Sequence, residues 1–156
     1  MRRIGLIAAI IVVLDQLTKW LVVRYISPAQ VVPVLDGFFQ LVNWHNTGAA
    51  WGILRDYNIV LAVISVITVL ALYLFRHSFG IERPLAGWSL GLIIGGIVGN
   101  VTDRIRLGYV VDFLDFQIAG RHWPAFNIAD SAICVGIFLY LITSWEPDEK
   151  MSAQKS

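Results

Sequence analysis

GGIVGNVTDRIRLGYVVDFLDFQIAGRHWPAFNIAD, residues 95–130, joins two apolar segments through a polar connection. Polar side chains occur where the chain leaves the first segment, between the segments, and where it enters the second: Asn100, Asp103, Arg104, Asp112, Asn127 and Asp130. Polar groups gathered at both ends of one connection between apolar segments indicate a functional site. The rest of the chain can be interpreted as the support of that site.

The composition indicates a membrane protein. Of 156 residues, 57% are hydrophobic and only 15% are charged, against about 25% charged in an average soluble domain. Four apolar runs cover residues 4–23, 59–75, 85–101 and 126–145, and a bilayer core of about 30 Å needs roughly 17–25 such residues as helix. We predict an all-α integral membrane protein, a four-transmembrane-helix bundle. It would be one domain, 1–156, with loops 24–57 and 102–125 on one face and a disordered tail at 146–156.

The charged residues are informative mainly about the orientation of the chain in the membrane. A net charge of +1 does not indicate a nucleic-acid partner. With a cytoplasmic N-terminus, six basic residues would lie inside and five outside, a small margin under the positive-inside rule. The pair Arg2 and Arg3 at the N-terminus favours cytoplasmic termini, which places both long loops on the outer face.

The first apolar run carries two opposite charges, Asp15 and Lys19. They interrupt what would otherwise resemble a signal peptide, so we predict a retained helix. Their i,i+4 spacing puts them on one helix face near mid-membrane. They could form an ion pair that holds this helix in the bundle, or they could support a site, and we favour support.

The loop 24–57 contains a predicted hairpin. Residues 31–35 and 38–44 are rich in Val, Phe and Trp, and Asp36-Gly37 between them is typical of a tight turn. We expect a small β-platform at the outer membrane surface. Asn46 and Gly48 follow it in the segment NTGAA, which suits either a tight turn or a polar contact with a ligand.

The third apolar run has a glycine every fourth residue: Gly87, Gly91, Gly95 and Gly99. This spacing makes a smooth ridge on one helix face and predicts close packing against another helix. The same face continues to Asp103, so the packing would bring the polar residues against a neighbour.

Asp112 and Asp130 are 18 residues apart on the same predicted face of the membrane. If they meet, the two carboxylates cannot both ionise easily, and one keeps a proton. Such a pair can activate water and protonate a carbonyl oxygen. No Ser–His or Cys–His arrangement and no HExxH metal motif offers an obvious alternative. We interpret Asp115 as an ordinary surface acid and residues 122–124 as an interfacial turn.

Five motifs occur in a familiar order: DQLTK at 15–19, NTGAA at 46–50, GGIVGNVTDR at 95–104, VVDF at 110–113 and FNIAD at 126–130. With them the chain resembles the lipoprotein signal peptidases (signal peptidase II), bacterial inner-membrane aspartic peptidases. The resemblance covers nearly the whole chain. One departure is Trp51, where the family commonly has Phe.

The resemblance implies a catalytic pair, Asp112 and Asp130, and a set of residues that position substrate: Asn46, Gly48, Asn100, Arg104 and Asn127. Asp15, Lys19 and Asp103 would support the site, with no metal and no cofactor. The implied substrate is a diacylglyceryl-modified prolipoprotein, cut just before the lipidated cysteine at the outer face of the cytoplasmic membrane. Membrane lipid and globomycin-type inhibitors are expected partners, and we expect a monomer.

Two other functions would account for some of these residues. A small transporter or proton relay would use Asp15, Lys19 and Asp130, but it predicts polar residues through the whole membrane depth. A non-catalytic assembly subunit would use the glycine ridge as its interface, and it leaves the grouped Asp and Asn residues unexplained.

Overall fold

The computed structural model describes residues 2–49 and 53–145. Its α-helices are α1 (Arg2–Tyr25), α2 (Asn58–Leu74), α3 (Pro84–Leu107) and α4 (Ile128–Trp145), with a short 3-10 helix, Arg76–Phe79, between α2 and α3. Its strands are β1 (Val32–Leu35), β2 (Phe39–Asn46), β3 (Val110–Ile118) and β4 (Arg121–His122). The predicted tail 146–156 and the family departure at Trp51 lie outside the described residues.

The two helices that flank the site have ends that differ from the predicted ones. Helix α3 begins with Pro84 and runs past the apolar segment to Leu107, where Gly108 ends it in the left-handed region with φ 79°. Helix α4 begins at Ile128 rather than at 126, because the backbone N–H of Phe126 donates to Leu114 O at 3.1 Å. Asn100 and Arg104 are therefore helical, and Asn127 lies at the junction of strand and helix.

The predicted platform is an antiparallel sheet of four strands in the order β1-β2-β3-β4. The β1–β2 hairpin turns at Gly37, whose φ of 71° suits glycine. Strand β3 comes from the second connection, 102–125, which was predicted as a loop, so the architecture is mixed rather than all-α. Its residues are buried almost without alternation, and the period-two pattern that indicates a half-exposed strand is therefore missing.

Helix α3 is the centre of the bundle and contacts the three other α-helices. The predicted glycine ridge packs against α1: a Cβ atom at Gly95 would lie 2.9 Å from Ala8 Cα, and one at Gly99 would lie 2.6 Å from Asp15 Oδ2. Those distances are shorter than carbon and oxygen atoms tolerate, so only glycine permits this approach. The prediction of close packing is confirmed, and it brings Asp15 to the polar end of α3.

Two helices, Arg2–Tyr25 and Pro84–Leu107, are long and apolar enough to cross a bilayer, and Asn58–Leu74 and Ile128–Thr143 are shorter apolar helices. Helix α1 exposes large apolar side chains such as Leu6, Val13 and Trp20, and α2 exposes Ile59 and Leu74 in the same way. Apolar side chains on the outside of a helical bundle are what contact with lipid requires.

Candidate active site

The polar end of the bundle opens into a cavity of about 900 Å³ between the sheet and the helices α3 and α4. Strand β2 ends there, strand β3 begins there, and the last turns of α3 and first turns of α4 complete the walls. Six predicted site residues line this cavity: Asn46, Gly48, Asn100, Arg104, Asp112 and Asp130.

Asn127 connects the two predicted catalytic acids. Its side-chain Nδ2 donates to Asp112 Oδ1 at 2.8 Å, and its backbone N–H donates to Asp130 Oδ2 at 3.2 Å. The backbone N–H of Asp130 returns a bond to Asn127 Oδ1 at 3.0 Å. Asn127 is fully buried, so one immobile residue orients both carboxylates from the strand-to-helix junction.

Each acid has a second amide donor on its other oxygen. Asn46 Nδ2 at the end of β2 donates to Asp112 Oδ2 at 2.8 Å, and Asn100 Nδ2 of α3 donates to Asp130 Oδ1 at 2.7 Å. Each carboxylate is therefore held at both oxygens. The amides leave the orientation of the acids fixed without placing a positive charge directly against either one.

Lys19 fixes the orientation of the Asn100 side-chain amide. Its Nζ donates to Asn100 Oδ1 at 2.9 Å and forms ion pairs with Asp15 at 2.8 Å and Asp103 at 2.9 Å. An ammonium group can only donate, so Asn100 must turn its oxygen to Lys19 and its NH₂ to Asp130. The three charged side chains are at least 96% buried, and three ionised groups in such a site are stable only as a network.

The same network holds the backbone before each catalytic candidate. Asp103 Oδ2 accepts from the N–H of Val111 at 3.2 Å, and Asp15 Oδ1 accepts from the N–H of Ala129 at 3.0 Å. Val111 precedes Asp112 and Ala129 precedes Asp130. The buried charges of α1 and α3 are thus linked to both acids by two hydrogen bonds to the backbone and by the side-chain amide of Asn100.

Arg104 and the turn after Asn46 form another part of the cavity lining. One terminal nitrogen of Arg104 donates to Gly48 O at 3.0 Å, and the Gly48 N–H donates to Asn46 Oδ1 at 2.9 Å. The Nε atom of Arg104 is buried and has no hydrogen-bond partner among the described residues. It lies on a side chain that lines the cavity, where a bound molecule could accept from it.

The protonation of Asp112 follows from its surroundings. The side chain is buried on β3, and burial together with the negative charge of Asp130 raises the pKa of Asp112 to about 7. Hydrogen bonds from Asn46 and Asn127 and the charge of Lys19 act in the opposite direction. Near neutral pH, Asp112 can therefore hold a proton, as a general acid requires.

Sequence reasoning missed two polar residues that lie outside the cavity lining, Asp115 and Gln16. Asp115, interpreted as a surface acid, is fully buried and accepts from Gln40 Nε2 at 2.5 Å. Gln16 was overlooked, although its Nε2 donates to Asp103 at 2.8 Å. A pairing of β2 with β3 would have placed Asp115 opposite Gln40, but β3 itself was not predicted.

No group of three or more His, Cys, Asp or Glu side chains that could hold a metal ion occurs within 2–49 and 53–145. His45, the histidine on β2, stacks on the ring of Tyr109 with centroids 3.9 Å apart. Cys134 is exposed and lines the cavity one turn after Asp130.

Comparison with known proteins places this geometry in a family. A family model described as signal peptidase (SPase) II matches residues 7–146. The chain belongs to the signal peptidase II family. It is 43% identical over 147 residues to the lipoprotein signal peptidase of Syntrophotalea carbinolica, covering 92% of this chain and 91% of that protein. It is 41% identical to the lipoprotein signal peptidase of Bacillus pumilus, with 88% of each chain covered.

Solved structures agree with this assignment. A bacterial membrane enzyme determined by the in meso method is 31% identical and superposes with a TM-score of 0.77 over 92% of both chains. A second structure of the same description has 32% identity and a TM-score of 0.76. As a signal peptidase II, the protein is a membrane-bound aspartic protease that removes the signal peptide from prolipoproteins.

Proposed function

We propose that Asp112 and Asp130 are the catalytic dyad of this signal peptidase II. The observation that carries the proposal is the bonding of Asn127 to both acids, by its side chain to Asp112 and by its backbone to Asp130. Two carboxylates oriented by one buried residue at the wall of a large cavity can act on the same bound peptide group.

The chemistry divides between the two acids. Asp130, as the carboxylate, takes a proton from a water whose oxygen attacks the carbonyl carbon of the scissile peptide bond. Asp112, with its pKa raised to about 7, gives its proton to the carbonyl oxygen. The tetrahedral intermediate then collapses: a hydroxyl proton returns to Asp112, Asp130 protonates the leaving nitrogen, and the C–N bond breaks.

The remaining cavity residues hold the substrate and the acids in register. The dyad is oriented by the hydrogen bonds that it accepts from the side-chain amides of Asn46, Asn100 and Asn127. Gly48 and Arg104 also line the cavity, where the Arg104 Nε can donate to a substrate carbonyl.

The supporting roles belong to Asp15, Lys19 and Asp103. All three are committed to one another or to the backbone beside the dyad. A proton relay needs groups that release and rebind protons, and these groups would leave buried charges unpaired if they did so. The network therefore favours support of a protease site over the alternative of a transporter.

The proposed substrate is a prolipoprotein whose cysteine carries a diacylglyceryl group, cut just before that cysteine. The apolar side chains around the cavity and on the helices suit a substrate that remains in the lipid. We propose that α1 to α4 all cross the bacterial cytoplasmic membrane as one domain, with cytoplasmic termini, and that the cavity and sheet lie at its outer face. We further propose that the protein acts as a monomer and that globomycin-type cyclic peptides occupy the cavity.

Cleavage by the purified protein tests the substrate. A diacylated prolipoprotein and its unmodified precursor are incubated with the enzyme in detergent, and the products are mapped by mass spectrometry. We expect one cut, immediately before the lipidated cysteine, in the diacylated substrate, and unchanged cleavage in EDTA. A cut elsewhere in the chain, equal cleavage of the unmodified precursor, or activity restored by zinc after chelation would contradict the proposal.

A further inference from the structure

Asp115, His122 and Gln40 form a second polar cluster, built around one buried acid and separate from the proposed dyad. Asp115 is fully buried on β3, while the His122 side chain on β4 is 47% exposed. The Nδ1 atom of His122 lies 3.0 Å from Asp115 Oδ1 and 2.9 Å from Oδ2, and Gln40 on β2 donates to Oδ2. A carboxylate only accepts hydrogen bonds, so the ring proton belongs on Nδ1.

The cluster has one residue on each of the strands β2, β3 and β4, and β4 is the shortest of them. Strand β4 has two residues, paired to Gln117 and Ile118 of β3. A strand pair this short is marginal without further contacts. The backbone N–H of Trp123 donates to Phe116 O at 2.8 Å, and the bond from His122 to Asp115 adds a side-chain contact that holds β4 to the sheet.

The segment after His122 forms part of the cavity. We name residues 121–125 the return segment, because they bring the chain back from the sheet to α4. Trp123, Pro124 and Ala125 line the cavity that contains the dyad. Trp44 lines it from β2, and its ring centroid lies 6.5 Å from that of His122. The anchored histidine thus stands beside an apolar, aromatic wall.

The dyad is insulated from the return segment by Phe126. Its backbone exchanges bonds with β3: Phe126 N–H donates to Leu114 O, while the N–H groups of Phe113 and Leu114 donate to Phe126 O at 3.0 and 2.9 Å. Its ring stacks on Phe116 with centroids 5.7 Å apart. A shift of residues 121–125 can therefore occur without moving Asn127 and Asp130.

We propose that His122 and Asp115 are a positioning pair, which holds the return segment against the sheet and so determines how tightly the cavity binds an apolar part of the substrate. The proposal rests on the proposed function, because it takes the cavity that contains Asp112 and Asp130 as the substrate site. The apolar group is either an acyl chain of the lipidated cysteine or an apolar side chain of the signal peptide, since both fit an aromatic wall.

Two substitutions distinguish the effect of the His122 hydrogen bond from the effect of its ring. His122→Phe keeps a planar ring but loses the donor, and His122→Asn keeps an amide donor close to the position of Nδ1. Steady-state cleavage of the diacylated substrate is expected to show a KM about tenfold higher for His122→Phe, with kcat within twofold of wild type. His122→Asn should recover most of the lost affinity.

The matched control is His77→Phe. His77 also contacts an acid, Glu82, at 3.4 Å, but both side chains are mostly exposed. Both residues precede the N-terminus of α3, whereas the cavity lies near its C-terminus. This variant should leave KM and kcat unchanged. A fall in kcat with unchanged KM in His122→Phe, or equal defects in His122→Phe and His122→Asn, would overturn the positioning pair.

A binding measurement keeps this inference separate from the proposed dyad. In an Asp112→Asn background, the Kd values of diacylated and unmodified precursor peptides are compared with and without His122→Phe. A loss of affinity for the diacylated peptide alone assigns the wall to acyl chains, and a loss for both assigns it to the signal peptide. Unchanged Kd values for both refute the pair, whereas cleavage by the Asp112→Asn protein refutes the dyad alone.

Discussion

Replacement of Asp112 by asparagine should stabilise the protein at alkaline pH while it removes the proposed general acid. Asp112 is 4% exposed, and burial together with the charge of Asp130 raises its pKa from the ordinary 3.8 to about 7. A buried acid with a raised pKa opposes folding whenever the unfolded chain would ionise it. Asp112 therefore lowers the free energy of unfolding at alkaline pH, which a neutral side chain at this position would not do.

The sign and size of this cost follow from the two pKa values. Below pH 3.8 both states hold the proton, and folding loses nothing. Between pH 3.8 and 7 the folded state binds more protons than the unfolded state, so stability falls as pH rises and levels off above 7. A difference of about three pKa units corresponds to roughly 4 kcal/mol at alkaline pH and to roughly 1–2 kcal/mol at pH 5.

Asparagine escapes this cost but has one acceptor oxygen instead of two. Either Asn46 or Asn127 then loses the partner that it has in the wild type, which costs about 1–3 kcal/mol. The net change is stabilisation by roughly 2 kcal/mol at pH 8 and almost none at pH 5. For a chain of this size, 2 kcal/mol raises the Tm by about 4–8 °C.

Thermal unfolding in detergent micelles measures this difference. The Tm values of wild type and Asp112→Asn are compared at pH 5 and pH 8, with Asp36→Asn as a control because Asp36 is exposed on the β1–β2 turn. The difference in Tm from wild type should be larger at pH 8 than at pH 5 for Asp112→Asn and the same at both pH values for Asp36→Asn. A variant that is less stable than wild type at pH 8, or whose Tm difference does not depend on pH, would refute the reasoning.

Three further predictions concern the supports of the site and its protonation. Lys19→Met should cost about 3–5 kcal/mol, because it leaves the buried Asp15 and Asp103 without their cation; a Tm near that of wild type would contradict the network. Gly95→Ala should lower stability by about 1–3 kcal/mol through its contact with α1, while Gly5→Ala, with nothing within 4 Å, should be neutral; equal effects would contradict the ridge. The pH profile of kcat/KM should fall above about pH 7 as Asp112 loses its proton, and a rate that rises through pH 7–8 would assign Asp112 the opposite role.

Two features of this fold could be predicted from short patterns in the sequence. The four-residue glycine spacing predicted close packing of α3 against another helix, and the structure shows that this helix is α1, with backbone at Ala8 where a Gly95 side chain would lie. Asp36-Gly37 predicted the hairpin, and Gly37 has the positive φ that such a turn uses. In both cases the sequence signal lies within one short segment of the chain.

What the sequence did not predict depends on contacts between distant elements. Strand β3 is covered on both faces, so its apolar run lacks the alternation that would predict a strand in the second connection. The burial of Asp115 follows from that strand and from its pairing with β2. Gln16 has no unusual neighbours in sequence, and its position between Asp15 and Asp103 depends on the packing of α1 on α3.

The catalytic candidates fall between these cases. Motif resemblance named Asp112 and Asp130, but residue spacing alone permitted their meeting without requiring it. The structure adds the reason that they can act together: Asn127, which immediately precedes α4, bonds to both acids. Their role in cleavage stays a prediction.

The central claim is that both acids act in one step, and single-turnover cleavage of a diacylated prolipoprotein tests it most directly. Asp112→Asn and Asp130→Asn are compared with wild type and with the exposed control Asp36→Asn at pH 7. We expect each site variant to slow cleavage by about 10²–10⁴-fold, the contribution of a positioned general acid or base, while the control cleaves at the wild-type rate. Cleavage by either site variant within a few-fold of wild type would contradict the dyad.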